Sequence, residues 1–290
     1  MKKLITPAEA FELIQTNWPE LKTELIPIQE ALNRTLAESV FADRDQPPFN
    51  RVMMDGFAIN SKDWKLGTRA FIWEGIQAAG AAPKTRSLEN SCIEIMTGSV
   101  LPENCDAVIP YEKSNRKNNK VEFEIDEVTI FMNIHSKGQD KKKGQELLTS
   151  GVKIGPIEIG VLAACGVHKI KVFSKLKMAI VSTGDELVGI HEAPNDYQIR
   201  SSNKETLASL FELAGLESSL FHLPDNTDLV EQFVTQTIKN FDIICLSGGV
   251  SMGKYDFIPS ALERLNAKTL FHGIAQKPGK PMFWHLISLV

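Results

Sequence analysis

The spacing of apolar residues changes along the chain, and each change predicts a different kind of structure. Near the start, Thr6-Pro7-Ala8-Glu9 combines a capping hydroxyl, a proline suited to the first helical turn and a glutamate three residues after the threonine. Apolar residues at helical spacing follow, so we expect a helix that ends before Trp18. A second short helical segment is predicted over residues 28–36.

The middle of the chain, from Met54 to about Lys142, carries short β-prone runs separated by glycine, proline and asparagine. This pattern is typical of a mostly β module. Strands are predicted at 56–59, 70–73, 92–95, 107–111, 121–125 and 128–132. A short helix at 156–165 and a strand at 169–173 are predicted to follow.

From Lys177 onward, strand and helix patterns alternate. Strands are predicted at 178–182, 219–223, 242–246 and 269–275, and helices are predicted to begin at Asn203, at Thr227 and near Pro259. The predicted strand at 242–246 is continuously apolar after Asp242, as expected for a parallel strand covered on both faces. This half is therefore predicted to be a doubly wound α/β domain, and the fold class to be multidomain α/β with a β-rich module.

Composition and net charge limit the kinds of binding partner that we expect for this protein. The chain has 290 residues, 43% of them hydrophobic, which is ordinary for a globular protein. The net charge of −4 argues against a nucleic-acid partner, which needs a basic surface, so any anion site must be local. With no long apolar run and no signal-peptide pattern, we expect a cytoplasmic protein that does not span a membrane. The four scattered cysteines are predicted to be buried, reduced thiols.

Ligands of doubly wound sheets bind beyond the carboxyl ends of the strands, where three motifs are predicted to lie. The first is Ser182-Thr183-Gly184-Asp185-Glu186-Leu187, directly after a strand. Hydroxyls and a glycine allow backbone N–H groups to approach an anion, while the two carboxylates could hold a metal or position a base. An ordinary surface loop explains this motif equally well.

The second motif, Ser247-Gly248-Gly249-Val250-Ser251-Met252-Gly253, follows the strand at 242–246. Its glycines and serines provide backbone donors suited to phosphate. Asp256 follows near a helix start, and a carboxylate beside a phosphate loop favours Mg²⁺, which takes a few oxygen ligands together with substrate phosphate. The alternative is a tight strand–helix connection in which Asp256 caps the helix.

The third motif, Lys277-Pro278-Gly279-Lys280-Pro281, places two cations on a proline-stiffened loop. Such a loop favours a bound anion at low ordering cost, although a solvated turn is the alternative. Two segments of the N-terminal half, Met53-Met54-Asp55-Gly56-Phe57-Ala58 and Met96-Thr97-Gly98-Ser99, are by their residues alone turns with polar side chains.

The order of these motifs resembles the molybdopterin molybdenumtransferase family, which includes MoeA and the E domain of gephyrin. The matching pieces are Pro47-Pro48 before MDGFA, then TGSVLPENCDAV, STGDEL, SGGVSMGKYD and KPGKP. The resemblance implies an N-terminal helix (1–24) that packs on an α/β molybdopterin-binding domain (174–290), a small linking domain (25–44 and 143–173) and an inserted β-rich lobe (45–142). It also implies a homodimer.

The reaction implied by the resemblance joins molybdate to adenylylated molybdopterin with release of AMP, assisted by Mg²⁺. The resemblance assigns Asp256 and Glu186 to the metal, and Lys277 and Lys280 to molybdate. Asp55 and Thr97 of the inserted lobe would complete the cleft from the neighbouring subunit. The residues that would line the substrate cleft are Thr183, Gly184, Asp185, Asp225, Ser247, Gly248, Gly249, Ser251 and Gly253.

The chain departs from the family pattern after KPGKP, where the family continues with more α/β sheet and a C-terminal domain. We therefore expect a C-terminally truncated α/β domain. This leaves a second hypothesis open, a non-catalytic molybdopterin-binding or scaffold protein, or an inactive fragment. A third candidate, the adenylyltransferase that shares the α/β domain, is disfavoured because its members lack the MDG and TGSVLP lobe.

Overall fold

The computed structural model describes residues 4–248 and 257–287 of the chain. The described helices are α1 (Pro7–Thr16), α2 (Ser61–Lys65), α3 (Pro156–Ala164), α4 (Asn203–Leu213), α5 (Thr227–Thr237) and α6 (Phe257–Arg264). The described strands are β1 (Thr23–Pro27), β2 (Val40–Phe41), β3 (Arg51–Val52), β4 (Gly56–Ile59), β5 (Ala70–Gln77), β6 (Ser91–Ile95), β7 (Ala107–Pro110), β8 (Ser114–Lys117), β9 (Lys120–Phe123), β10 (Ile134–His135), β11 (Glu146–Leu148), β12 (Lys169–Phe173), β13 (Lys177–Thr183), β14 (Leu187–Val188), β15 (Ile199–Arg200), β16 (Glu217–Leu223), β17 (Ile243–Ser247), β18 (Lys268–His272) and β19 (Phe283–Leu286).

The chain divides into two compact units, Leu25–Val172 and a second that combines Met1–Glu24 with Phe173–Val290. In the first unit, six strands form a sheet in the order β7-β4-β6-β5-β9-β8. Strands β5 and β6 are parallel, and the other neighbours in this sheet are antiparallel. The mostly β module predicted for the middle of the chain is thus confirmed.

The first unit contains separate apolar cores. Phe57, Phe71 and Phe123 pack together at the centre of the six-stranded sheet, with ring centroids of neighbouring pairs 5.3–5.9 Å apart. Another core joins residues near the start of the unit to residues near its end, so that chain segments far apart in sequence share one interior. Its buried members are Ile26, Ile28, Ala31, Leu36, Val40, Ile154, Leu162, Ile170 and Val172.

Two local predictions in this unit are wrong. Residues 128–132 form an irregular segment and a turn rather than a strand, because Phe131 takes φ +62° and Asn133, the next residue after the predicted strand, takes φ +57°, both outside the conformations that a strand allows. The helix predicted over 28–36 is reduced to a 3-10 turn at Ile28–Glu30. There the backbone N–H groups of Asn33 and Leu36 donate to carbonyls of residues 154 and 152, so tertiary pairing replaces helical hydrogen bonds.

The second unit is built on a parallel sheet in the order β16-β13-β17. Helix α4 connects β13 to β16 and α5 connects β16 to β17, which gives the predicted doubly wound βαβ connections. Helix α5 buries Val230, Val234 and Thr237 on one face, as its apolar spacing predicts. Strand β13 is buried from Met178 to Thr183, so the sheet centre forms the interior of this unit.

Helix α1 belongs to the second unit and starts as predicted. The Thr6 hydroxyl accepts the Glu9 backbone N–H at 3.2 Å, and the Glu9 carboxylate accepts the Thr6 backbone N–H at 2.6 Å. Ala10 packs against Phe271 and Ile274 of the β18 segment, where β18 and β19 pair as antiparallel strands. A local capping signal therefore starts a helix whose apolar face is buried by residues far along the chain.

The structure also shows the state of the cysteines and the character of the helices. The cysteines are free, as predicted, and Cys245 is only half-buried while the other three are buried. Burial is the largest cause of the raised pKa of the Cys92 thiol, which reaches about 12, so this thiol is an unreactive core residue. In the part of the chain that the structure describes, no helix is both long and apolar enough to cross a membrane.

Candidate ligand site at the carboxyl edge of the parallel sheet

Strand register brings the loops that follow three parallel strands to one edge of the α/β unit. Thr183 at the end of β13 lies beside Leu223 at the end of β16, and Ser182 lies beside Ser247 at the end of β17. The residues that follow each strand therefore leave the sheet at the same edge. These include Thr183, Gly184, Asp185, Glu186, Asp225, Ser247 and Gly248, all of which were predicted from the sequence.

Gly248 and Thr183 are in close contact at this edge. Gly248 has φ +105°, and a Cβ built on it would lie 2.2 Å from the Thr183 carbonyl oxygen and 2.7 Å from its Oγ1. Contacts of this length are impossible for a side chain, so only glycine allows the end of β17 to approach β13 this closely. The same geometry shows that the Thr183 hydroxyl faces Gly248.

Carboxylates cluster between the β13 and β16 loops. The backbone N–H of Asp225 donates to Asp185 Oδ1 at 3.2 Å. Burial raises the pKa of the Asp225 carboxyl above its ordinary value, and the charges of Asp185 and Glu186 raise it further. The Glu186 carboxylate turns back over Gly184, where a built Cβ would lie 2.5 Å from its Oε2. Excess negative charge is thus concentrated at this edge.

Buried polar atoms without a hydrogen-bond partner among the described residues lie in the same region. Among the described residues, four buried side-chain atoms have no hydrogen-bond partner, and three of them are Thr183 Oγ1, Asp225 Oδ1 and Ser201 Oγ of the α/β unit. Buried polar groups in folded proteins are nearly always paired. Thr183 and Asp225 lie at neighbouring strand ends of the parallel sheet, and Ser201 is held beside the segment that follows β13, where its N–H donates to the Val188 carbonyl, so these atoms indicate a site completed by a ligand.

Further polar residues lie here that the sequence analysis did not select. Ser182 Oγ lies 3.2 Å from His222 Nδ1, and Asn203 Nδ2 donates to Ser247 Oγ at 3.4 Å. Ser201 directly precedes Ser202, the N-cap residue of α4. The available signal was Ser201-Ser202-Asn203, a run of hydroxyl and amide side chains immediately before a predicted helix.

The predicted pair Asp55 and Thr97 lies in the other unit, where the two residues are in direct contact. Asp55 Oδ1 accepts the backbone N–H of Thr97 at 2.6 Å and its hydroxyl at 2.8 Å. These hydrogen bonds, the backbone one first, lower the pKa of the exposed Asp55 carboxyl. The TGS and MDG motifs, far apart in sequence, therefore form one ionised, preorganised carboxylate.

Lys277 and Lys280 lie on the exposed loop between β18 and β19. These two strands pair with each other in a separate antiparallel sheet, so the prediction that this motif follows a strand of the parallel sheet is wrong. The Lys280 carbonyl accepts the N–H groups of Ile274 and Met282, each at 3.0 Å, which holds the backbone of this loop while leaving the side chain at the surface. Within the described residues, no hydrogen bond or ion pair joins either lysine to the carboxylates of the sheet edge.

The remaining predicted residues, Gly249, Ser251, Gly253 and Asp256, lie outside the described residues. In the described ranges, no group of three or more histidine, cysteine, aspartate or glutamate side chains is arranged to hold a metal ion. The assignment of Asp256 and Glu186 to a metal, and the binding roles of the other site residues, stay predictions.

Comparison with known proteins identifies the family. Residues 5–166 match the family described as "MoeA N-terminal region (domain I and II)", and residues 179–288 match the one described as "Probable molybdopterin binding domain". The chain belongs to the MoeA family. The resemblance predicted from the ordered motifs is therefore confirmed.

Individual members of the MoeA family show how far the similarity extends. The chain is 36% identical over 285 residues to a molybdopterin molybdenumtransferase of Synechocystis sp., covering 97% of this chain and 73% of that protein. With a molybdopterin molybdenumtransferase of Staphylococcus aureus it shares 32% identity over 282 residues, 93% of this chain and 66% of that protein. It thus spans about two thirds to three quarters of these relatives.

A solved structure of the molybdopterin biosynthesis MoeA protein from Pyrococcus horikoshii matches with a TM-score of 0.83 and 30% sequence identity. The match covers 98% of this chain and 72% of that one. This similarity confirms the multidomain α/β fold class predicted from the sequence. The chain therefore combines a MoeA fold with a sheet edge that carries unpartnered polar atoms.

Proposed function

We propose that this chain acts in molybdenum cofactor biosynthesis as a molybdopterin molybdenumtransferase, converting molybdate and adenylylated molybdopterin into molybdenum-loaded molybdopterin and AMP. The observation that carries the proposal is the pair of buried, unpartnered atoms Thr183 Oγ1 and Asp225 Oδ1 at neighbouring strand ends. Relatives that match nearly the whole chain are named molybdopterin molybdenumtransferase.

The proposed phosphate contacts come from the ends of β13 and β17. Because Gly248 lets the end of β17 approach β13 closely, its backbone lies beside the Thr183 hydroxyl, and we propose that the backbone N–H groups of this loop and that hydroxyl donate together to a phosphate oxygen. When the phosphoanhydride of the substrate is cleaved, the AMP phosphate gains negative charge. Donors already fixed in position stabilise that charge without reorganisation.

The acidic residues fit Mg²⁺. Asp225 lies close enough to Asp185 and Glu186 for their charges to raise its pKa, and its Oδ1 has no partner among the described residues. Carboxylate oxygens that repel one another suit a cation that takes one or two carboxylates together with substrate phosphate. We propose that Glu186 and Asp256 hold this ion and that Asp185 and Asp225 orient the groups around it. Bound there, Mg²⁺ would neutralise charge on the phosphoanhydride.

Lys277 and Lys280 are proposed to attract molybdate, since two cations on one exposed loop suit a dianion. Asp55 and Thr97 are proposed to act in a homodimer, where this ionised pair would complete the cleft of the neighbouring subunit. The division of the first unit into a linking domain and an inserted lobe, and a cytoplasmic location, stay predictions.

The test supplies the purified chain with adenylylated molybdopterin, Mg²⁺ and molybdate, and measures both AMP and pterin-bound molybdenum by mass spectrometry. We expect the two products in equal amounts, with AMP release that depends on molybdate and is abolished by Asp256→Ala. A chain that binds the adenylylated pterin tightly but releases no AMP would contradict the proposal and favour a non-catalytic binding protein.

A further inference from the structure

Within the described residues, the first turn of α4 has backbone donors without a side-chain acceptor. Helix α4 begins at Asn203, and its N-cap residue Ser202 makes no side-chain hydrogen bond to the first turn. The first N–H groups of a helix have no partner within the helix and carry its partial positive charge. At most helix starts a side-chain oxygen accepts one of them, as Asn226 does at the start of α5.

Contacts place this turn beside the loops already described. The Ile199 N–H donates to the Glu186 carbonyl at 2.9 Å, and the Ser201 N–H donates to the Val188 carbonyl at 3.0 Å. On the other side, Asn203 Nδ2 reaches Ser247 Oγ at 3.4 Å. The start of α4 therefore lies between the loop after β13 and the end of β17.

Two buried hydroxyls flank this position. Ser201 is 4% exposed and Thr183 is 3% exposed, and in each the hydroxyl oxygen lacks a partner among the described residues. The Thr183 hydroxyl faces Gly248, the residue after Ser247, and Ser201 immediately precedes the uncapped turn. Burying a hydroxyl without a hydrogen bond is unfavourable, and a ligand oxygen would remove that cost.

The chemistry of the ligand follows from these groups. Backbone N–H groups, serine hydroxyls, the Asn203 amide and Lys204 in the same turn are all donors, so they suit a group that presents several acceptor oxygens and negative charge. A phosphate monoester does both. The Asp185 side chain accepts the Asp225 N–H and the Glu186 carboxylate lies over Gly184, so neither carboxylate is engaged by the start of α4 in the contacts described.

We propose that Ser201, Ser202 and Asn203, together with the first-turn N–H groups of α4, form a phosphate monoester subsite. The proposal rests on the proposed function, because cleavage of the phosphoanhydride of adenylylated molybdopterin leaves two phosphate monoesters, and this subsite would hold one of them. Two phosphates have this chemistry, the phosphate of AMP and the phosphate of the pterin, and either of them could occupy the subsite.

The test compares Asn203→Asp with the wild-type chain in calorimetric titrations of AMP and of 6-hydroxymethylpterin phosphate. The added carboxylate repels phosphate yet favours the helix start, so folding is preserved, as circular dichroism checks. We expect the dissociation constant of one of the two compounds to rise about tenfold or more, since a charge-assisted contact is replaced by repulsion. The compound affected identifies which phosphate occupies the subsite. Ser201→Ala should weaken the same compound by a smaller factor.

Asn240→Asp is the matched control, because Asn240 is an exposed residue of the same unit just before β17 begins, at the opposite edge of the sheet. It should leave both affinities unchanged. If Asn203→Asp binds both compounds as the wild type does, or if Asn240→Asp weakens them equally, the subsite is wrong. Molybdate-dependent AMP release by the wild-type chain would then still support the proposed function. If the wild-type chain binds neither compound, the subsite is also wrong, whereas the proposed function fails only if molybdate-dependent AMP release is absent as well.

Discussion

The backbone N–H of Asp225 donates a hydrogen bond to Oδ1 of Asp185 across 3.2 Å, joining the loops that follow β16 and β13. The contact links residues 40 positions apart in the chain and brings a second carboxylate beside the half-buried Asp225. Two like charges at one sheet edge are unfavourable for folding and useful for binding a cation. Removing one of these two charges should therefore favour folding and disfavour cation binding.

Asp225→Asn is predicted to raise thermal stability at neutral pH while lowering molybdate-dependent AMP release. Burial, and then the charges of Asp185 and Glu186, raise the pKa of Asp225 in the folded state, so ionising this carboxyl costs more in the folded than in the unfolded chain. The stability that the Asp225 carboxyl contributes to the folded state is fully present below the ordinary aspartate pKa, and it is lost as pH rises through the folded-state pKa. The melting temperatures of variant and wild type should therefore converge as pH falls. A less stable variant at pH 7 would contradict this account.

Gly248→Ala is predicted to destabilise the α/β unit by about 2–4 kcal/mol, because its Cβ would overlap the Thr183 carbonyl. Gly215→Ala is the matched control: Gly215 also has a positive φ (+77°), but a Cβ built there meets nothing within 4 Å. The Gly215→Ala variant measures only the cost of placing a side chain on a residue with positive φ, which is about 1 kcal/mol. Urea unfolding measures the free energy of unfolding of both variants. If both lose the same amount of stability, the Gly248 contact with Thr183 is unimportant.

Thr97→Val is predicted to raise the pKa of Asp55 towards the ordinary aspartate value, because the hydroxyl hydrogen bond is lost while the backbone one remains. Thr97→Ser keeps both donors and should leave the pKa unchanged. Because hydrogen bonding lowers the folded-state pKa, its stabilising effect is present above the unfolded-state pKa and is lost as pH falls through the folded-state value. NMR titration of the Asp55 carboxyl carbon measures the shift. Identical titration curves for Val and Ser variants would refute the role of the hydroxyl.

Lys280→Ala is predicted to raise the molybdate concentration for half-maximal AMP release by about tenfold, since one of two fixed cations is removed. The loop should keep its conformation, because the hydrogen bonds of Lys280 to Ile274 and Met282 use its carbonyl oxygen. Lys239→Ala, which removes an exposed lysine just after α5, is the charge-matched control. A molybdate dependence that shifts equally in both variants would exclude a specific role for Lys280.

The sequence by itself was sufficient where the signal is local. The capping box at Thr6 and Glu9 predicted the start of α1, and apolar spacing predicted α5 and the central strands of the parallel sheet. Such signals act within a few residues, so they can be read without knowing the fold. Where tertiary contacts compete with local preference the predictions were wrong, as at residues 128–132, where Phe131 and Asn133 take positive φ.

Ordered motifs in the sequence were also sufficient to predict the MoeA family and to select residues of one sheet edge. Only the tertiary structure decided how they meet: the Thr97 donors on Asp55, 42 positions away, the approach of Gly248 to Thr183, and the unpartnered hydroxyl of Ser201. The physical reason is that hydrogen-bond satisfaction is a property of the packed chain. A polar atom is left without a partner by what surrounds it, and strand register, which brings distant segments side by side, determines those surroundings.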